Sequence, residues 1–327
     1  MRIGVIGCGR IATKHLHAYG RLPDVEIIVA DDIPDLARAA ASAHHVGWRH
    51  NAQALLEDES VDAIDVCVPT SAHAPLVISA LQAGKHVFCE KPLCRSREEG
   101  QAIAEAQRSA GKVLMVGYLY RLHPGYRRLK EVLERGALGR PHLALLRFGG
   151  RGGTADWKHQ AESGGGAALE LLVHGLDMAL WLLGPATSCE VLDKSTLLPI
   201  RTVNGRTVHA TAEDYVLVRL RVGACVILCE SDLVTPSYMN HAEIHGDNGS
   251  GFTSILDYFP TAIFCNRSHG GFAAGYHIEH YPAVNLFELE LAAFVASLRG
   301  ERPATDHINE SLLIVDQLEG IMQAAVR

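Results

Sequence analysis

Residues 2–12 read Arg2-Ile3-Gly4-Val5-Ile6-Gly7-Cys8-Gly9-Arg10-Ile11-Ala12, and this stretch decides the fold. Arg2–Ile6 is a short apolar strand. Gly7 to Ala12 is a G-x-G-x-x-A turn, and a helix pattern follows from Arg10 to Leu22. Gly7 permits the tight turn, Gly9 lets the backbone approach a pyrophosphate, and Ala12 keeps the helix close to the sheet. The start of such a helix offers free N–H groups and the positive end of its dipole to an anion. Asp31 ends the next strand, Glu26–Ala30, where a carboxylate can take both hydroxyls of an adenosine ribose. That favours NAD. Asp32 could share the role, and Arg10 beside the turn could tolerate a 2′-phosphate, so NADP stays the alternative.

The same rhythm continues outward. A helix pattern at Pro34–Ala43, a strand at Ala63–Val68, a helix at Ala72–Ala83, a strand at His86–Phe88, a helix at Arg97–Ala110 and a strand at Val113–Val116 alternate along the chain. Alternation of this kind implies a doubly wound parallel sheet with helices on both faces. The pattern changes near residue 122. Helices fit Pro124–Arg135 and Ala167–Leu183, and a strand at His142–Phe148 runs into the glycine-rich loop Gly149–Gly153. From 187 to 265 the chain is strand-rich, with a hairpin pairing Asp214–Arg221 and Ala224–Ser231. Helices at Leu286–Arg299 and Asn309–Ala325 close it. The expected fold is therefore α/β: a Rossmann domain at 1–122 and an α+β domain at 123–327 with a mostly antiparallel open sheet.

The chain has 327 residues, enough for two domains at about 150 each. Apolar residues make up 48% and charged residues 20%, an ordinary globular balance. A net charge of -7, with only 30 Lys and Arg, argues against a surface built to grip nucleic acid or anionic lipid. The most apolar segment, 164–184, is interrupted by Glu170, His174 and Asp177, which a bilayer span would not carry cheaply. Eight cysteines without a Cys-x-x-Cys pair read as reduced thiols in a cytoplasmic protein.

Two further stretches carry chemistry. Ala83–Pro92 ends in Glu90-Lys91-Pro92, a charged corner at the carboxyl end of a parallel strand, where ligands of such sheets lie. Pro92 fixes the corner, in trans or cis. Lys91 there either donates to a substrate oxygen or forms a surface ion pair with Glu90. On the inner helix, Glu170, His174 and Asp177 follow each other at i, i+4 and i+7 and share one face. They form either a satisfied structural network or an acid–base group, with histidine exchanging a proton and the carboxylate orienting it. His277, Glu279 and His280 near His269 lack metal-site spacing, and no metal is expected. His15, His17, His44 and His45 read as surface or helix residues.

These pieces resemble the Gfo/Idh/MocA family, the glucose–fructose oxidoreductase and inositol dehydrogenase group. The resemblance rests on Gly7–Ala12, Pro69-Thr70-Ser71-Ala72-His73, Ala83–Pro92, Gly117–Pro124, Gly164–Asp177, Glu213-Asp214, Gly246 and Gly249, in family order along the whole chain. It implies an NAD(P)-dependent dehydrogenase or ketoreductase acting on a secondary alcohol of a sugar or cyclitol. It implies a catalytic group of Lys91, Glu170 and His174. Cofactor contacts are implied at Gly7, Gly9, Arg10, Ile11, Asp31, Pro69, Thr70, His73, Glu90 and Lys91. Substrate contacts are implied at Lys91, Arg121, Trp157, Glu170, His174 and Tyr238. Lys91 and His174 match the family by position. Glu170 stands where the family has aspartate, and Leu172 where it often has glycine. Tyr118 and His123, with Asp156, Lys158 and His159, lie near the same regions. The family also contains redox-neutral NAD-using glycosidases and a dinucleotide-binding sensor, which remain the alternatives. A homodimer or homotetramer is implied by resemblance.

Overall fold

The computed structural model describes residues 1–150, 155–163, 165–302 and 307–326. Residues 151–153 of the glycine-rich loop and Gly164 of the glycine run lie outside the described residues. The chain forms two compact units. One is Met1–Leu119 with Asn285–Asp316, and the other is Tyr120–Val284 with Gln317–Arg327.

The first unit is built on β1 (Arg2–Ile6), β2 (Glu26–Ala30), β3 (Gly47–Arg49), β4 (Ala63–Val66), β5 (His86–Cys89) and β6 (Leu114–Val116). Their order is β3-β2-β1-β4-β5-β6, and every neighbouring pair is parallel. This is the doubly wound order whose crevice opens between β1 and β4, at the carboxyl ends of the strands. Helices α1 (Arg10–Tyr19), α2 (Pro34–His44), α3 (Ala52–Leu56), α4 (His73–Gln82) and α5 (Arg97–Ala110) connect them. The short β3 and α3 escape a sequence reading because three and five residues carry too little periodicity. The helix expected to Leu22 stops at Tyr19, and Gly20 caps it with its own N–H bonded to the Leu16 carbonyl at 3.0 Å. The central strands are buried on both faces, which explains their unbroken apolar runs.

The second unit carries α6 (Pro124–Glu134), β7 (Pro141–Gly149), α7 (Val173–Leu183), β8 (Ser188–Ser195), the hairpin of β9 (Ile200–Val203) and β10 (Arg206–His209), β11 (Tyr215–Val222), β12 (Cys225–Asp232), β13 (Met239–Gly246), β14 (Gly249–Ser254), β15 (Thr261–Cys265) and β16 (Gly275–Glu279). Eight strands pair in the order β16-β15-β14-β13-β7-β12-β11-β8. Only the central β7–β12 pair is parallel. Alternate residues of β11, β12 and β13 are buried, so one face carries the core. Helix α7 lies on β7 and β12, and α6 lies on β14 and β15.

Helix α8 (Leu286–Leu298) departs from the sequence grouping, which put 123–327 together. It packs on α1 of the first unit, with Phe294 edge-on to Phe88 at 5.6 Å and Arg21 paired with Glu288. Its apolar face thus completes the Rossmann core. Helix α9 (Ile308–Gln323) follows. No helix among the described residues is long and apolar enough to cross a membrane.

The inner helix expected at Ala167–Leu183 begins differently, as a π-helical turn over Ala168–Leu172 that leads into α7. Its start is pinned by Glu213, whose carbonyl accepts from the Ala167 amide and whose carboxylate accepts from the Ala168 amide, both at 3.0 Å. Burial pushes the Glu213 carboxyl above its usual range. Gly166 makes this possible: its φ is +114°, and a Cβ there would stand 2.5 Å from the Glu213 carboxylate. A Gly166→Ala variant is expected to lose about 2 kcal/mol of stability and about 5 °C of melting temperature, read by thermal unfolding.

Candidate active site

In the first unit the sequence-predicted residues gather at the carboxyl ends of the strands. Gly7 has a φ of +94°, and a Cβ on it would strike the Cys67 carbonyl at 2.6 Å, so only glycine fits where the turn leaves β1. Around Gly9 nothing lies within 4 Å of where a Cβ would stand, which leaves the backbone open to a ligand. Gly9 caps α1 without a side-chain hydrogen bond. The first-turn amides of a helix lack intrahelical partners, so this end can receive a pyrophosphate. Arg10 is exposed there and Ile11 half-buried.

Asp31 follows β2 as expected. One carboxylate oxygen accepts from the Cys8 amide at 2.8 Å and the other from the Ile33 amide at 2.9 Å. The carboxylate is thus fixed against the glycine turn and half-exposed at its edge. Burial, with Asp31 beside it, pushes the Cys8 thiol up to about 11, so Cys8 stays a neutral thiol. Asp32 is exposed and next to it. These residues fit a dinucleotide: an open glycine turn, an uncapped helix start and a fixed acid at the second strand end.

Pro69 precedes a 3₁₀ turn over Thr70–Ala72 that leads into α4. Pro69 is exposed and Thr70 is 8% exposed. His73, expected at the cofactor, is instead 1% exposed. Its Nδ1 faces the Pro92 carbonyl at 2.8 Å and its Nε2 the Val68 carbonyl at 2.9 Å. Burial holds its pKa below the usual value, against two carbonyls that favour the protonated ring. His73 therefore ties two loop ends together. The Lys91–Pro92 peptide is cis. Glu90, also expected at the cofactor, is 5% exposed. One of its oxygens accepts from the Lys91 amide at 3.2 Å. The other lies 3.1 Å from Nε2 of His15.

His15 is the residue that the sequence reading misplaced. It is fully buried, not a surface histidine. The signal was present: Ala12, His15, Leu16 and Tyr19 recur at i, i+3, i+4 and i+7, the buried stripe of α1.

In the second unit, His174 sits near the start of α7 and is 6% exposed. The Tyr120 ring lies 4.5 Å from its ring and the Phe148 ring 6.2 Å, both tilted. Asn240 fixes Tyr120 from behind, with its amide nitrogen on the phenol oxygen at 3.3 Å and its amide oxygen accepting from the Gly149 amide at 3.1 Å. Tyr120 was not singled out from sequence, because a buried tyrosine reads as packing.

Glu170 stands in the π-helical turn and pairs with Lys158. The turn carrying Trp157 and Lys158 is held by the glycine run: the Gly165 amide donates to the Gln160 carbonyl and the Gly166 amide to the Lys158 carbonyl, both at 3.0 Å. Lys158 also sits over the Trp157 ring at 5.3 Å. Arg121 is engaged with Asp177, its Nε donating to the carboxylate at 2.8 Å, with the aspartate 1% exposed. The polar stripe of the inner helix is therefore divided: Glu170 goes to Lys158 and Asp177 to Arg121. Tyr238 is 42% exposed. His123 caps α6, and burial pushes its pKa down to about 4.

A parallel sheet of this order with an open glycine turn and a fixed acid defines a dinucleotide-binding unit. Residues 1–118 match the family model described as oxidoreductase family, NAD-binding Rossmann fold, and residues 126–251 match the GFO/IDH/MocA C-terminal domain. The chain is 29% identical over 310 residues to the myo-inositol 2-dehydrogenase of Thermotoga maritima, spanning 93% of this chain and 90% of that one. It is 32% identical to the inositol 2-dehydrogenase 3 of Saccharopolyspora erythraea over 76% of this chain and 72% of that one. Among solved structures, a levoglucosan dehydrogenase in complex with NADH and L-sorbose shares the fold with a TM-score of 0.86 at 22% identity, over 98% of this chain and 96% of that chain. The chain belongs to the GFO/IDH/MocA oxidoreductase family. It is an NAD(P)-dependent oxidoreductase with a Rossmann unit and a mixed, mostly antiparallel second unit.

The fixed Asp31 carboxylate makes cofactor choice testable. An Asp31→Ser variant is expected to bind NADH about tenfold more weakly and to narrow the preference for NADH over NADPH, read by fluorescence titration of both.

Proposed function

We propose that this chain moves a hydride between nicotinamide and a secondary alcohol or ketone of a sugar, sugar derivative or cyclitol, with Lys91, Glu170 and His174 as its catalytic group. The observation that carries this reading is the setting of His174. An imidazole titrates near neutral pH, and here it is buried and held against the Tyr120 ring, with the paired Glu170 one turn before it. When bound, the nicotinamide cofactor supplies the acceptor or donor of the hydride.

The protein's part is proton and charge management. In the oxidation direction His174 takes the hydroxyl proton at a ring nitrogen as the carbon becomes a carbonyl. Lys91 donates to the same oxygen and stabilises its negative charge. In reduction the two roles reverse. Glu170, neutralised by Lys158, sets the polarity beside the inner helix. Trp157, Arg121 and Tyr238 complete the substrate contacts, with Arg121 acting through the Asp177 pair. The same reading makes the protein cytoplasmic, on eight free cysteines, and a homodimer or homotetramer.

His174→Ala is expected to lower kcat about 10² to 10⁴-fold while NADH affinity stays within a factor of about two. Absorbance of NADH over a panel of inositols, free sugars and nucleotide sugars reads the first, and fluorescence titration the second. Unchanged turnover in this variant overturns the assignment of His174.

A further inference from the structure

The first unit buries two carboxylates around one histidine. Asp65 is 0% exposed on β4, and Glu90 is 5% exposed just past β5. His15 lies between them on α1, with Nδ1 2.8 Å from Asp65 and Nε2 3.1 Å from Glu90. A carboxylate at each ring nitrogen leaves only one good arrangement. A neutral ring would turn a lone pair toward one of them and leave two buried anions facing across it. The protonated ring donates to both.

The remaining groups around the ring agree with this. Cys67, just past β4, lies 3.3 Å from Nδ1 and from the other Asp65 oxygen, and burial pushes its thiol upward, so it is a neutral donor. Tyr19 of α1 and Cys89 of β5 are likewise held neutral by burial. Glu290 of α8 adds a third buried acid, and the Phe88 and Phe287 rings close the sides at 5.6 Å. The cation facing the cluster is Lys91 beside Glu90, with the titratable ring of His73 of α4, which burial keeps neutral, behind it. Burial opposes charge on His15, but Cys67 and Asp65 beside the ring outweigh it and raise its pKa well above the usual value. Glu90 is held below its usual range, because the bond from His15 outweighs burial. His15, Asp65 and Cys67 also have the residue types of a metal site. However, Nδ1 and the Asp65 oxygen at 2.8 Å are closer than the roughly 3.3 Å between ligands spread tetrahedrally around zinc, and suit a shared proton.

The cluster reaches the corner through Glu90. Its second oxygen accepts from the Lys91 amide, the point where the lysine leaves the backbone. His73 fixes the next carbonyl, that of Pro92. We propose that His15 is a positioning residue for Lys91, donating from both ring nitrogens so that Asp65 anchors the ring and the ring pins the Glu90 carboxylate that holds the Lys91 amide. The consequence for catalysis rests on the role given to Lys91 above; the proton arrangement does not. A folded pKa above the unfolded one contributes fully below the unfolded value and is lost as pH rises through the folded one. The corner is therefore ordered at neutral pH, and loosens only in alkali.

The test uses the intact NADH-bound protein with ¹⁵N-histidine, as wild type, His15→Gln and Asp65→Asn. In wild type both His15 nitrogens are expected to show protonated shifts beyond about pH 8, identified by their loss in His15→Gln. In Asp65→Asn, which keeps the volume, one anion is gone and the ring is expected to titrate between about pH 6 and pH 8. Hydrogen exchange of the peptide spanning Glu90 and Lys91 is expected to speed up about tenfold in His15→Gln, with β1 and α5 unchanged. In Asp65→Asn it speeds up only as pH rises, and kcat falls over the same interval. A neutral ring in wild type at about pH 7 overturns the proposal. So does exchange that rises uniformly across the first unit, the signature of a structural role. Failure of the hydride-transfer reading would show instead as full turnover in His174→Ala, with the nitrogen shifts and exchange pattern of His15 unaffected.

Discussion

A parallel sheet covered on both faces cannot leave a charge unanswered, and Asp65 and Glu90 put two into this one. Strand β4 pairs on both sides through Asp65, so the carboxylate stays within the layer of α1 whatever its partner. His15 is placed by the same helix that opens the dinucleotide turn. One buried ring thereby joins three features: the helix that follows the glycine turn, the strand at the switch point and the corner that carries Lys91. Replacing such a cluster by apolar groups could leave stability intact, since buried ion pairs bring little net gain. What they add is a single geometry, which the role proposed for Lys91, a side chain on four flexible bonds, requires.

The second unit uses the same device with arginine and lysine. Asp177 is met by Arg121, Asp232 by Arg147 at 2.7 Å, and Asp214 by Arg201 while also accepting from the Leu197 amide at 2.7 Å. Each acid is nearly inaccessible to water. Three of these ties end on the helix, strand or loop next to the inner helix. His174 therefore sits in a frame whose charges are already matched. The aromatic wall of Tyr120 and Phe148 keeps the frame dry on one side.

Most of the fold was legible because its signals are periodic. The first strand, the glycine turn and the alternation after it follow from spacing alone, and the central strands are apolar because both faces are covered. What escaped was either short, like β3 and α3, or long-range. The place of α8 depends on Phe294 meeting Phe88, more than 200 positions earlier, and no local pattern encodes that. Lys91, His174 and Asp31 stand out in the sequence as candidates, Asp31 by its spacing from the glycine turn and the other two by the family resemblance. His73 and Glu90 could be named but not placed, because a polar residue in a motif reads equally as ligand contact or as support, and His15 reads as a surface or helix residue although it is buried. Asp65 carried the clue. A carboxylate in a doubly covered strand demands a buried partner, and the histidine on the facing helix stripe was the one candidate of suitable charge.

Glu170 and Leu172 depart from the family pattern, and the structure gives each departure a local reason. Leu172 is fully buried, so its bulk fills the interior where the helix changes from π to α pitch. A wider turn leaves space that a glycine would not occupy, and the leucine Cδ1 closes toward Gly175, 3.8 Å from where a Cβ there would stand. Glu170 extends its carboxylate by one methylene beyond an aspartate, and that extra reach meets Lys158 on the turn that the glycine run folds back. The carboxylate of the inner helix is thereby bound to a cation. Under the proposed function, a substrate that brings its own carboxylate or phosphate would compete for Lys158 and release Glu170, whereas a neutral polyol would leave the pair intact.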